Sequence, residues 1–85
     1  MLNKIYYFGA EWCGQCSAIF PQFKAFCEVN NLSYGYIDVE GNEKLTNQFH
    51  VKNLPTIIVT DNNDKVIFRG VGFSGFKEFK EFIID

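Results

Sequence analysis

"KIYYFGAEWCGQC", residues 4–16, carries a short aromatic run, a small-residue break and two cysteines three positions apart. The order of these features decides the reading of the fold. Residues 4–8 are short and apolar, as a buried central strand is. Gly9 and Ala10 end that strand. Over residues 15–29, Ile19, Phe20, Phe23, Phe26 and Cys27 recur at helical spacing along one stripe. Cys13 therefore falls between a strand and a helix, near the helix start, and Cys16 lies one turn inside. Pro21 lies within the helical pattern, where its missing N–H predicts a kink and not a break.

The rest of the chain alternates in the same way. Asn30 and Asn31 close the helix, and the β-rich residues 32–39 read as a second strand. Gly41-Asn42 turns the chain into a two-turn helix over residues 43–50. Residues 55–60 give a third strand, 61–64 a polar hairpin turn and 65–70 a fourth strand. Ser74 is the expected cap of a last helix whose core face is Phe76, Phe79, Phe82 and Ile83. The order is βαβαββα. Two strands joined by a helix run parallel with a right-handed crossover, and the last two form a hairpin. The expected fold class is α/β, a four-stranded mixed sheet flanked by three helices.

Eighty-five residues are enough for one domain, residues 1–85. A chain this short buries only about 60% of its unfolded surface. Ten Phe and four Tyr offset that, because each buried ring removes roughly 150–250 Å² from water. The formal net charge of −2 gives no basic patch for nucleic acid. No apolar run reaches the ~18–20 residues that cross a membrane, and the N-terminus has no signal-like apolar stretch. A cytoplasmic monomer is the expectation. Three cysteines are too few for a disulfide scaffold. In a reducing compartment a Cys-x-x-Cys pair is catalytic or metal-binding more often than structural.

On a helix, residues three apart hold their Cβ atoms roughly 5–6 Å apart. A disulfide needs ~3.5–4.5 Å, so a small adjustment of the first turn closes or opens the Cys13–Cys16 bond. Unsatisfied N–H groups and the helix dipole favour a thiolate at Cys13, and the thiolate is the nucleophile in exchange. Cys16, deeper, would resolve the mixed disulfide. Zinc is the rival, with Cys13, Cys16, Cys27 and His50 as ligands. Cys16 and Cys27 lie roughly 16 Å apart along one helix, too far to share an ion. A two-cysteine zinc or iron–sulfur site shared between chains stays open. Cys27 itself fits the core stripe, as a small buried hydrophobe, and His50, at the end of the second helix, has no assigned role.

"WCGQC" after a strand, Pro21 eight residues past Cys13, "LPT" at 54–56 and "GVG" at 70–72 before the last helix resemble the thioredoxin family. The match of motif order covers nearly the whole chain. The extra N-terminal strand and helix of full-length thioredoxins are missing, so the chain looks like a minimal, glutaredoxin-sized thioredoxin-like fold. The resemblance implies strand order 2-1-3-4. It implies a thiol–disulfide oxidoreductase that reduces protein disulfides, with Cys13 as nucleophile and Cys16 as resolving thiol. It places Trp12 at the flank of a substrate groove and makes Pro55 a cis-proline beside the disulfide. Leu54 would offer backbone groups to an extended substrate, and Gly72 would lie on the groove's opposite side. No cofactor is implied. The partners implied are disulfide-containing proteins and an electron donor, either a reductase or glutathione.

Two features depart from the family. The middle pair is Gly14-Gln15 where Gly-Pro is usual, and these two residues tune the potential. Cys-x-x-Cys proteins span about 150 mV, so the poise is left open. The family's buried aspartate, six residues before the first cysteine, is Tyr7 here, and a lysine that often partners it aligns with Tyr34. Tyrosine, with an ordinary pKa near 10, is a poor base at neutral pH. Water or another carboxylate would then assist Cys16; Glu11 is nearest in sequence but is expected to face solvent. Two other functions compete: a glutathione-coupled, glutaredoxin-like enzyme, for which no cationic pair is evident beside Cys13, and a binding subunit of a larger complex that does not turn over.

Overall fold

The computed structural model describes residues 2–84. The elements are β1 (Leu2–Gly9), α1 (Gly14–Val29), β2 (Gly35–Asp38), α2 (Glu43–Gln48), β3 (Thr56–Asp61), β4 (Val66–Val71) and α3 (Gly72–Ile84), in the expected order βαβαββα. They build one sheet in the order β2-β1-β3-β4. β1 runs parallel to β2 and antiparallel to β3, and β3 is antiparallel to β4. The four-stranded mixed sheet and the order that the resemblance implies are both present.

Strand periodicity sorts the core into two layers. On one face Ile5, Tyr7, Ile57 and Val59 meet Ile19, Phe23 and Cys27 of α1 and Phe76 and Phe79 of α3. On the other face Phe8 and Ile58 meet Phe49, which follows α2. Residues 56–60 of β3 are buried on both faces, so the strand reads as a near-continuous apolar run. Cys27 is fully buried in the first layer, where burial pushes its thiol up to about 11. α1 runs unbroken through Pro21. Phe82 is the exception on the core face of α3. It is 38% exposed and lies against Phe68 at the rim, with ring centroids 5.2 Å apart.

Several boundaries differ from the sequence expectation, and local hydrogen bonding explains them. The second strand is only Gly35–Asp38 because the three residues after α1 form its cap. Asn31 adopts φ 56, its N–H donates to the Glu28 carbonyl, and the Leu32 N–H donates to the Cys27 carbonyl. This is the Schellman arrangement, and Leu32 packs against the core as it requires. α2 stops at Gln48 and not at His50 for the same reason. His50 takes φ 55, its N–H donates to the Asn47 carbonyl, and the Val51 N–H donates to the Thr46 carbonyl. The last helix starts at Gly72, two residues before the expected cap Ser74. Gly72 at φ 70 turns β4 straight into α3, and the Ser74 hydroxyl donates instead to the Val71 carbonyl.

That abrupt turn presses α3 against β4 through two glycines. A Cβ on Gly75 would lie 2.8 Å from the Cα of Gly70, and one on Gly70 would lie 2.7 Å from the Gly75 carbonyl oxygen. Both obstacles are backbone, which cannot swing aside. Alanine at 75 would gain about 1 kcal/mol in helix propensity. Overpacking costs typically 1–3 kcal/mol or more, and a backbone clash belongs at the upper end. Gly75→Ala is therefore expected to lower stability by about 2 kcal/mol net in urea unfolding. A variant as stable as the parent would show that the β4–α3 contact is loose.

Candidate functional site

The site forms where β1 runs out. After Gly9 the chain turns through Ala10, Glu11 and Trp12, and the Cys13 N–H donates to the Ala10 carbonyl at 3.1 Å. Cys13 is the N-cap of α1, with extended backbone (φ −94, ψ 104), and its Sγ accepts the Cys16 N–H at 3.1 Å. A cap normally uses a side-chain oxygen; here sulfur occupies that position, facing amides that α1 leaves unpaired. No acidic residue lies in the first turn to oppose negative charge there. Cys13 and Cys16 are joined as a disulfide, with Cα atoms 5.2 Å apart. Cys13 is half-buried and Cys16 is 2% exposed, so one sulfur faces outward and one inward.

A groove of about 380 Å³ opens beside Cys13, lined by Trp12, Cys13, Val39, Thr46 and residues 51–54. Trp12 is 66% exposed, yet its indole N–H donates to the Glu40 carboxylate at 3.1 Å. Asp38 accepts the Glu40 N–H at 2.9 Å, which ties Trp12 to the end of β2. Opposite, the Leu54–Pro55 bond is cis and Pro55 is buried. Leu54 lies just ahead of the β3 ladder, which starts at Thr56. An Arg69 guanidinium N–H donates to the Phe49 carbonyl and holds the chain leading into this wall. Gly72 donates its N–H to the Pro55 carbonyl at 3.0 Å but does not line the groove. Gln15 lies over it, with Oε1 2.9 Å from where a Cβ would stand. Beneath the disulfide the buried Tyr7 hydroxyl donates to the Cys16 carbonyl at 2.9 Å.

Trp12, Cys13 and Leu54 thus share one groove, and Cys16, Pro55 and Gly72 are not among the residues that line it. The four ligands of the zinc reading are not gathered. Cys27 is buried in the core, His50 is exposed beyond α2, and no three His, Cys, Asp or Glu side chains converge among the described residues.

The thioredoxin family model matches residues 3–85. The chain belongs to the thioredoxin family. It is 37% identical over 60 residues to thioredoxin-1 of Caenorhabditis elegans, covering 69% of this chain and 52% of that protein. It is 32% identical over 72 residues to the thioredoxin of Mycoplasma genitalium, covering 84% and 70%. The solved structure of thioredoxin 1 from Thermosipho africanus TCF52B superposes with a TM-score of 0.86 at 27% identity, covering 96% of this chain and 91% of that one. The chain spans about half or less of the first curated relatives it matches.

Within this family frame the departure at Tyr7 has a definite structure. Burial, reinforced by Tyr36, pushes its phenol well above the usual tyrosine range. Its proton is engaged on the Cys16 carbonyl, so Tyr7 holds the first turn of α1 in place and is not a base. Tyr34 packs edge-on against Phe20 and Phe23. The residue that sequence reading missed is Tyr36. It stacks on Tyr7 with ring centroids 5.8 Å apart, and its hydroxyl lies 2.9 Å from a Cβ position on Gly9. Glycine at 9 leaves the room this ring fills. Tyr36 also lines a second groove, of about 490 Å³, with Ala10, Glu11, Cys16, Phe20 and Pro21. Glu11 is exposed at its rim, as expected. The Tyr7↔Tyr36 pairing in the parallel β1–β2 register was the signal that could have found this residue.

Tyr7→Phe removes one buried hydroxyl bond and is expected to cost about 0.5–1.5 kcal/mol at neutral pH. The alkaline behaviour has a sign. An unfolded tyrosine releases its proton near pH 10, while folded Tyr7 keeps it. Its contribution is whole below that pH and is lost as pH rises above it. Urea unfolding from pH 8 to 11 should show a shallower alkaline loss for Tyr7→Phe than for the parent. Parallel curves would mean the phenol is not protected.

Proposed function

We propose that the chain is a thiol–disulfide oxidoreductase that reduces protein disulfides through Cys13 and Cys16. The observation that carries this reading is the division between the two sulfurs. Cys13 is a half-exposed helix cap at the mouth of a groove, and Cys16 is buried one turn behind it. In the reduced state the Cys13 thiolate, stabilised by the helix terminus, attacks one sulfur of the substrate disulfide. That S–S bond breaks, the departing sulfur takes a proton, and Cys13 is left in a mixed disulfide. Cys16 then loses its proton and attacks the Cys13 sulfur, releasing the second substrate thiol. Two electrons pass to the substrate, and the chain ends as the Cys13–Cys16 disulfide. A thiol donor, a reductase or glutathione, returns the two electrons.

The groove supports a peptide segment beside a disulfide as substrate. Trp12 and Leu54 would flank it, with Pro55 and Gly72 behind, and Gly14 and Gln15 would set the poise of the pair. Lys52 is the only cation among the groove-lining residues, and Glu40 is bonded to Trp12 at the other wall. Glutathione, with two carboxylates, fits that charge pattern less well than a peptide backbone does. We assign the activity to a monomer in a reducing compartment, the cytoplasm.

Reduction of insulin by dithiothreitol, followed by turbidity, tests the reading. The parent chain should accelerate it and Cys13→Ser should fall to background. Cys16→Ser should accumulate mixed disulfides visible by mass. In the reduced chain at neutral pH, iodoacetamide should modify Cys13 first and Cys27 only after unfolding. No acceleration by the parent would favour a binding role, and faster modification of Cys16 would reverse the assignment of the two thiols.

A further inference from the structure

The groove at Cys13 has Trp12 on one wall and Leu54 on the other, and neither Gln15 nor Gly72 lines it. On the other flank Gly72 is fixed by its N–H bond to the Pro55 carbonyl, at the φ 70 corner between β4 and α3. The Gln15 amide occupies the space a side chain at 72 would fill, with Oε1 2.9 Å and Cδ 3.7 Å from the Cβ position. Gln15 is exposed, and its side chain makes no hydrogen bond among the described residues. It lies across Gly72 as an arm held by contact alone, and a long flexible side chain of this kind moves at modest cost.

We propose that Gln15 is a specificity-determining residue that covers the Gly72 side of the disulfide and confines a bound substrate to the Trp12–Leu54 side. This rests on the function proposed above and names the substrate class it selects. A small disulfide, with little beyond its two sulfurs, fits the open side and leaves the arm in place. A protein strand that continues past its cysteine on both flanks must push the arm off Gly72 before the sulfurs meet. The arm therefore favours disulfides at chain ends or in tight loops, with small residues on the far flank. It disfavours extended strands with bulk on both sides.

The test compares kcat/KM for insulin with kcat/KM for bis(2-hydroxyethyl) disulfide in three proteins: the parent, Gln15→Ala and Gln15→Met. Gln15→Ala removes the arm and should raise the insulin-to-small-disulfide ratio by about fivefold, below the roughly 10–200-fold of one methylene in a rigid pocket because the arm can also swing aside. Gln15→Met keeps the length without the amide and should hold the ratio near that of the parent. The potential of each variant, equilibrated against a glutathione buffer, separates the two effects, because a change in poise moves both substrates together. An unchanged ratio in Gln15→Ala, or rates that track the potential for both substrates, would overturn the proposal. So would an equal rise in Gln15→Met. A parent chain that reduces neither disulfide would overturn the function itself, and with it this inference.

Discussion

The end of β1 is held from both sides, and the chemistry of the chain depends on that end. Phe8 is paired with Ile37 of β2 and with Thr56 of β3, and Gly9 is paired with Asp38. The Gly9 carbonyl also accepts the Val39 N–H. A strand with hydrogen bonds along both edges cannot drift, so the direction in which residues 10–12 leave the sheet is set. That direction places Cys13 at the start of α1 with its sulfur on an amide. The same pairings bring residues 38–40 and 53–56 alongside. The groove is therefore built around the end of one strand, by Trp12 from the turn after β1, by Val39 and Thr46 after β2 and by residues 51–54 ahead of β3.

Beneath the disulfide the chain uses aromatic packing where a charge could have stood. Tyr7 lies against Phe20, Phe23 and Tyr36, and Phe23 continues the contact to Phe79. Thr56 and Thr60 are the buried polar side chains among the described residues, and no carboxylate joins them. A buried carboxylate would pay a desolvation cost and would shift upward in pKa. A phenol donating to a helix carbonyl avoids that cost and ties the sheet to the first turn of α1 directly. In a chain too short for a deep core, the same ring contributes to packing and fixes the position of Cys16.

The element order, the place of Cys13 at a helix start and the burial of Cys27 were legible because each follows from local pattern. The cis bond before Pro55 and the strand order came from the resemblance, since neither spacing nor periodicity contains them. The ends of α1 and α2 were not legible. Asn31 and His50 take left-handed backbone where glycine would have announced it, and the motif shows itself only in the hydrogen bonds that follow. The start of α3 was hidden in a different way, because Ser74 is a good cap that the turn at Gly72 makes unnecessary. Tyr36 and the Gln15–Gly72 contact were invisible for a third reason. They depend on register and on approaches between residues distant in sequence, which composition does not record.

Trp12 is the only tryptophan of the chain. It stands exposed on the wall of the groove, next to the disulfide in sequence, with its indole anchored to Glu40. An indole in that position is a built-in optical probe. Its emission is expected to change with the neighbouring sulfur–sulfur bond, with solvent on its open face and with the loss of its carboxylate partner. The fourteen phenylalanines and tyrosines, ten and four, supply no competing signal at indole wavelengths. Opening of the bond, and any molecule that packs against the ring, should therefore register in the unlabelled protein in real time.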